Sequence, residues 1–133
     1  MIVGLGVDVV ELDRVQAAHK KFARRFERRI LTLEEASVMP SNPVAFLASR
    51  FAAKEAAVKA LGTGFSSGIT LHHIQIQKDP SGQVHVCFTG PARARFEALG
   101  AHRAHLSLSH GRNTAVAVVV LERLDKQYHL AGE

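Results

Sequence analysis

The chain has one cysteine, no tryptophan, one tyrosine and four prolines in 133 residues. A lone Cys87 excludes an intrachain disulfide and any CxxC redox or zinc motif, so the core has to hold the fold together. No stretch approaches the roughly 18 consecutive apolar residues of a membrane span. The amino terminus is apolar but lacks the basic opening of a signal peptide and carries Asp8 among its valines. A cytoplasmic protein without a membrane partner is expected. Few aromatics and no nucleic-acid signature leave little to stack on bases, so nucleic acid is not the expected partner. Acids are in deficit too. Against 12 Asp and Glu stand 17 Lys and Arg, a formal charge of +5, which favours an acidic partner.

A hydrophobic content of 47% suffices for one core without disulfides. Residues 1–133 read as one domain with no repeat, linker or low-complexity segment, and with a polar, frayed tail after about Arg123. The longest regular feature is the alanine-rich run from Leu47 to Leu61, where nothing breaks a helix and Gly62 supplies a stop. Leu47, Phe51, Val58 and Leu61 form an apolar stripe, and the alanines let another element approach closely, so this helix should be largely buried. Arg50 and Lys54 are four residues apart, as are Glu55 and Lys59, so each pair shares a helical face.

Ile2 to Val10 alternates as a strand, with Val3, Leu5, Val7 and Val9 on one face and Ile2, Gly4, Gly6, Asp8 and Val10 on the other. The two glycines should leave open space beside Asp8. A carboxylate in such company costs several kcal/mol, roughly, unless a cation or good hydrogen bonds compensate it. Two readings stand open: Asp8 caps the next helix, or it binds something positive. Asp13 lies nearer the start of the helix that begins around Arg14, which leaves Asp8 wanting a partner. Paired with Glu55, it would suit magnesium, a hard cation that keeps waters and shares its shell with substrate phosphates.

Downstream, Thr32 and Glu35 fit a capping box, and Pro40-Ser41-Asn42-Pro43 breaks the chain before the long helix. Gly62 to Gly68 reads either as a simple connection or as a loop covering a ligand, without the ending of a P-loop. Ile69 to Lys78 and Gln83 to Thr89 read as strands, Pro91 to Leu99 as a helix, and His105 to Ser109 with Thr114 to Leu121 as a hairpin. The order gives an α+β fold, an antiparallel sheet packed with the buried alanine-rich helix. Ser109 and His110 are adjacent on a strand and point to opposite faces, which argues against a nucleophile and base pair. His72, His73 and His85 lack zinc-ligand spacing.

From Arg14 to Arg29 the sequence holds seven basic residues and one acid, Glu27. As one helix, it would align Arg14, Lys21, Arg25 and Arg28 within about 40° of a common direction, with Val15, Phe22 and Phe26 about a quarter-turn away as anchors.

Gly6-Val7-Asp8, the segment Arg50 to Gly62 with its core Phe51-Ala52-Ala53-Lys54-Glu55-Ala56, and Leu106-Ser107-Leu108-Ser109-His110 occur in the order and approximate spacing of one family. The chain resembles the holo-acyl-carrier-protein synthases, small bacterial 4'-phosphopantetheinyl transferases, from about Ile2 to Glu122. The resemblance implies their fold and magnesium-dependent transfer of phosphopantetheine from coenzyme A to a serine of acyl carrier protein, in support of fatty acid biosynthesis. It implies Asp8 and Glu55 as magnesium ligands, and Glu55 and Lys59 as catalytic, with Lys59 near the phosphate. Arg50, Lys54, Lys59, Ser109 and His110 become coenzyme A contacts, although His110 also reads as an ordinary hairpin-end residue. The proton acceptor is either Glu55 or a metal-polarised water. The acidic carrier protein would dock on Arg14, Lys21, Arg25 and Arg28, and a homotrimer would place the active sites between subunits. The competing reading is a noncatalytic basic module for an acidic protein or nucleic acid.

Overall fold

The computed structural model describes residues 1–125; the last residues of the expected frayed tail lie outside them. Strand β1 (Ile2–Glu11) leads into helices α1 (Leu12–Phe22), α2 (Arg24–Ile30), α3 (Leu33–Ser37) and α4 (Val44–Leu61). A 3-10 turn (Leu71–His73) precedes the hairpin β2 (Ile74–Lys78) and β3 (Val84–Phe88), then come α5 (Gly90–Ala98), β4 (Arg103–His110) and β5 (Thr114–Glu122). An antiparallel sheet has the order β1-β5-β4, and β2 and β3 pair separately. This is the expected α+β arrangement.

The centre of the fold is α4 lying across the inner face of β1 and β5. It is apolar on nearly every side, and Leu47, Ala48, Ala52, Ala53, Ala56, Ala57 and Leu61 have no solvent exposure. Gly62, at φ 78, closes it with backbone bonds to Val58 and Lys59 carbonyls. The strands under the helix present small residues. Ala115 and Ala117 of β5 are fully buried, and a Cβ on Gly6 of β1 would stand 1.9 Å from the Ala56 carbonyl oxygen. The glycines therefore leave no open space beside Asp8, contrary to expectation; the helix backbone fills it. We expect Gly6→Ala to destabilise the chain by about 3 kcal/mol, the upper end of overpacking, because rigid backbone rather than a movable side chain blocks the new methyl. Urea unfolding checks this, and a midpoint equal to the parent's would show that α4 can retreat freely.

The opposite face of β1 is turned outward. Leu5, Val7 and Val9 are 65%, 53% and 60% exposed, beside the half-buried Val116, Val118 and Val120 of β5.

The basic segment departs from the single helix expected. Ala23 adopts φ 47 and ψ −116, ending α1 and starting α2, so the alignment of Arg14 and Lys21 with Arg25 and Arg28 on one helical face does not exist. Of the three expected anchors Val15 is buried and Phe26 half-buried, whereas Phe22 is exposed. Nor does Asp13 cap α1, which begins at Leu12 without a side-chain cap. The strand expected from Ile69 begins only at Ile74, because Thr70 and His73 close a 3-10 turn: the Thr70 amide donates to His73 Nδ1 and the His73 amide to the Thr70 carbonyl. The capping box forms as expected, with the Thr32 hydroxyl accepting from the Glu35 amide and the Glu35 carboxylate from the Thr32 amide.

Candidate active site

Matching periodicities bring the distant acid to the helix. Two strand residues advance about 6.8 Å and four helical residues about 6 Å, so the two elements can stay in step. Gly4 lies against Ala60 and Gly6 against Ala56. Asp8, the next inward residue, thus comes to the part of α4 that bears Glu55 and Lys59. Its backbone is paired in the sheet opposite Ala117, so Asp8 is a strand residue and caps nothing.

Lys59 Nζ donates to Asp8 Oδ1 at 2.9 Å and to the Val7 carbonyl at 3.0 Å. The Asp8 hydrogen bond is the main cause of a raised Lys59 pKa, which holds the ammonium charged. Glu55 is pushed the other way for a carboxylate. Its pKa is raised, first by desolvation and then by the neighbouring Asp8 charge, with Lys59 opposing. Two carboxylates thus crowd one place, and the Lys59 ammonium is bonded to Asp8.

Asp8 and Glu55 share a cleft of about 420 Å³ with Arg14, Phe26 and Phe51. Phe26, Phe51 and Glu55 also line a second, more apolar cleft of about 670 Å³, which continues to Phe65, Ile69 and His72. Glu55 therefore sits where a polar and an apolar channel meet. Phe65 gives the glycine-rich loop a role as wall, in line with its ligand-covering reading. The three phenylalanine walls could not be singled out in the sequence, where Phe51 reads as core and Phe26 as an anchor.

The other residues expected to contact coenzyme A are distributed differently. On α4, Phe51, Glu55 and Lys59 form one row and Phe46, Arg50 and Lys54 the next, about 100° around the helix. The second row opens toward another side. Arg50, with the Phe46 ring 4.3 Å from its guanidinium carbon, meets His110 and Lys78 along a cleft of about 410 Å³. It is only 8% exposed, its Nε lacks a hydrogen-bond partner among the described residues, and burial lowers its pKa against the opposing charge of Glu35. Ser109 is exposed on the strand face opposite to that of His110, away from this cleft.

Lys54 departs furthest from expectation. It has no solvent exposure, and its ammonium donates to Glu35 Oε1 and the Ile30 carbonyl, both at 2.6 Å, and to the Leu71 carbonyl at 3.2 Å. All three N–H groups are used inside the core, which leaves none to reach a ligand. The four docking candidates are exposed, Arg14 and Lys21 on α1 and Arg25 and Arg28 on α2.

Asp8 and Glu55 offer oxygen donors with coordination positions left over, the donor set of a hard divalent cation sharing its shell with water or phosphate. Among the described residues no group of three or more His, Cys, Asp or Glu side chains is placed to hold a metal. No helix among them is long and apolar enough to cross a membrane.

Comparison with known proteins identifies the family. Residues 4–119 match the model of the 4'-phosphopantetheinyl transferase superfamily. The chain is 57% identical over 123 residues to the holo-[acyl-carrier-protein] synthase of Nitratidesulfovibrio vulgaris strain DP4, covering 92% of this chain and 99% of the relative. The crystal structure of the synthase from Neisseria meningitidis superposes with a TM-score of 0.84 at 41% identity, covering 92% of this chain and all of that one (100%). The Bacillus anthracis synthase in complex with coenzyme A (3',5'-ADP) gives 0.75 at 38% identity, over 93% and 99% of the two chains. By its family match over most of its length, its identity to a synthase and its fold, the chain belongs to the 4'-phosphopantetheinyl transferase superfamily and, within it, to the holo-[acyl-carrier-protein] synthases.

Proposed function

We propose that the chain transfers the 4'-phosphopantetheine group of coenzyme A to a serine of apo-acyl-carrier protein, giving holo-carrier protein and adenosine 3',5'-bisphosphate for fatty acid biosynthesis in the cytoplasm. The observation that carries this reading is Glu55 at the junction of two clefts, with Asp8 beside it in one of them and Lys59 bonded to Asp8. The serine oxygen bonds to the β-phosphorus as its proton passes to Glu55 or a water, the bond from that phosphorus to the bridging oxygen breaks, and the bisphosphate departs with the electron pair. Such transfers are catalysed mainly by positioning and by neutralising charge on phosphate oxygens. Lys59, held charged at the cleft edge, supplies one cation. Asp8 and Glu55 would hold Mg2+, which when bound supplies further charge neutralisation on those oxygens. Burial first and the Asp8 charge second raise the Glu55 pKa, and a bound cation would offset both.

The apolar channel along Phe51, Phe65 and Ile69 suits the pantetheine arm, and the Arg50 and His110 cleft suits a nucleotide phosphate. The two lie on different sides of one copy. The outward apolar strip of Leu5, Val7 and Val9 is a surface that soluble monomers rarely leave open, and it favours a homotrimer in which the phosphate cleft of one copy completes the acidic site of the next.

The carrier protein is strongly acidic and docks on Arg14, Lys21, Arg25 and Arg28. Charge reversal at Arg14 and Arg25 should raise the KM for carrier protein about tenfold, by the usual weight of steering and interface charges, and leave the KM for coenzyme A unchanged. Steady-state kinetics at two salt concentrations checks this. The function itself is tested by mixing the chain with apo-carrier protein, coenzyme A and Mg2+ and weighing the carrier. A gain of one phosphopantetheine is expected. Binding without a mass change, by folded components, would instead favour a noncatalytic basic module.

A further inference from the structure

The basic face is split at Ala23, and something has to set the angle between its halves. Helix α2 is fixed to the core. Ile30 is 1% exposed, its carbonyl receives Lys54, and the Arg28 carbonyl bonds to His72 from the 3-10 turn. Helix α1 is held mainly at its start, where the Leu12 amide donates to the Asn113 carbonyl and Val15, its one buried residue, enters the core. The later turn carrying Lys20 and Lys21 has no buried side chain. Ala23 adds an unfavourable link, since a residue with a Cβ at positive φ costs about 1–3 kcal/mol and persists only where its surroundings enforce it.

Among the described residues, one side-chain hydrogen bond spans the break. His19 Nε2 and Glu27 Oε2 lie 2.7 Å apart, and the two side chains are only 23% and 20% exposed. His19 stands one turn beyond Val15 and Glu27 one turn into α2, so the bond closes a bracket over Ala23. Backbone bonds from the Ala23 amide to the His19 carbonyl, and from the Glu27 amide to the Ala23 carbonyl, join the same three residues.

We propose that His19 and Glu27 are positioning residues for carrier-protein docking: their contact clasps α1 to α2 and fixes the spacing between Arg14 and Lys21 on one helix and Arg25 and Arg28 on the other. The inference rests on the docking reading above. A rigid partner surface needs both basic pairs at a fixed separation, and without the clasp part of the binding free energy goes into ordering α1. Glu27 is then the one acid in the segment because it serves the frame rather than the face.

The test exploits a difference in sign. By charge alone, Glu27→Ala makes the face more basic and should lower the KM for an acidic carrier. The clasp requires the opposite. His19→Ala and Glu27→Ala should each raise the carrier KM about fivefold, the weight of one part-buried charged hydrogen bond, with kcat and the coenzyme A KM held. His19→Gln, which can still donate to Glu27, should recover most of the loss. The double variant should be no worse than either single one, since both remove the same contact. Arg25→Glu is run alongside. If Arg25→Glu raises the carrier KM while the His19 and Glu27 variants leave it unchanged or lower it, the clasp is overturned and the docking face stands. If none of them moves it, the docking face falls and the clasp with it.

Discussion

Asp8→Ala and Glu55→Ala should each lower phosphopantetheine transfer by about 10³-fold, the scale on which transition-state charge stabilisation is lost, while leaving the fold in place. The fold is spared because neither carboxylate supports it. Asp8 meets Lys59, whose side chain is 53% exposed, and exposed pairs contribute little to stability. Removing either acid also relieves their mutual repulsion, which after burial is the second cause of the raised Glu55 pKa. The two losses should not add. If both acids hold one cation, the double variant should be scarcely slower than either single one, as for any group of residues acting as a unit. Lys59→Ala is expected to be milder, because it removes a charge from the cleft edge without dismantling the cation site. Single-turnover rates measure the effect, and melting temperatures confirm folding. Folded single variants with near-parent rates would remove Asp8 and Glu55 from the chemistry. A thermal shift on adding Mg2+, present in the parent and absent in both variants, reads out metal binding apart from turnover.

What could be read from the sequence follows from the range of each interaction. The alanine helix, its Gly62 stop and the last hairpin are set by local propensity and turn chemistry, and they stand as expected within a few residues. Donor chemistry alone offers Asp8 and Glu55 as a possible pair, and the family resemblance singles the pair out, since no local rule joins residues so far apart. The break at Ala23 carries no local signal. Alanine is the best helix former and rarely adopts positive φ, so only tertiary contacts such as the His19 to Glu27 bond and the anchoring of α2 can place it there. Alternation separates the two faces of β1 without saying which meets α4, and its glycines read as open space, because a missing side chain looks the same whether solvent or a neighbouring backbone fills the gap. Lys54 was misjudged for a related reason. A lysine four residues from an arginine on a helix looks like part of a basic surface, and the acid that buries it lies in another element.

That buried pair carries the second large prediction. Lys54→Met should destabilise the chain by about 3–5 kcal/mol, the cost of stranding a buried charge, out of a typical total of only about 5–15 kcal/mol. Glu35 is the stranded group. Its side chain is 1% exposed, with Oε1 accepting from Lys54 and the Thr32 amide and Oε2 from the Ile76 amide at 2.7 Å. Through Lys54 the network also reaches the Ile30 and Leu71 carbonyls, so one ion pair ties α2, the start of α3, the 3-10 turn and β2 to the central helix. Burial lowers the Lys54 pKa while Glu35 opposes it, the pattern of a charge retained for its partner. Adding Glu35→Gln to Lys54→Met removes the uncompensated charge and keeps an acceptor for Ile76, so the double variant should recover part of the loss despite carrying one more substitution. Chemical unfolding of the three variants gives the energies. Kinetics then separates a structural lysine from a ligand-binding one. Below its melting transition, folded Lys54→Met should keep the coenzyme A KM of the parent, because none of the ammonium's donors reaches a cleft. A stable Lys54→Met with a much raised coenzyme A KM would return Lys54 to the ligand and leave the core pair without a purpose.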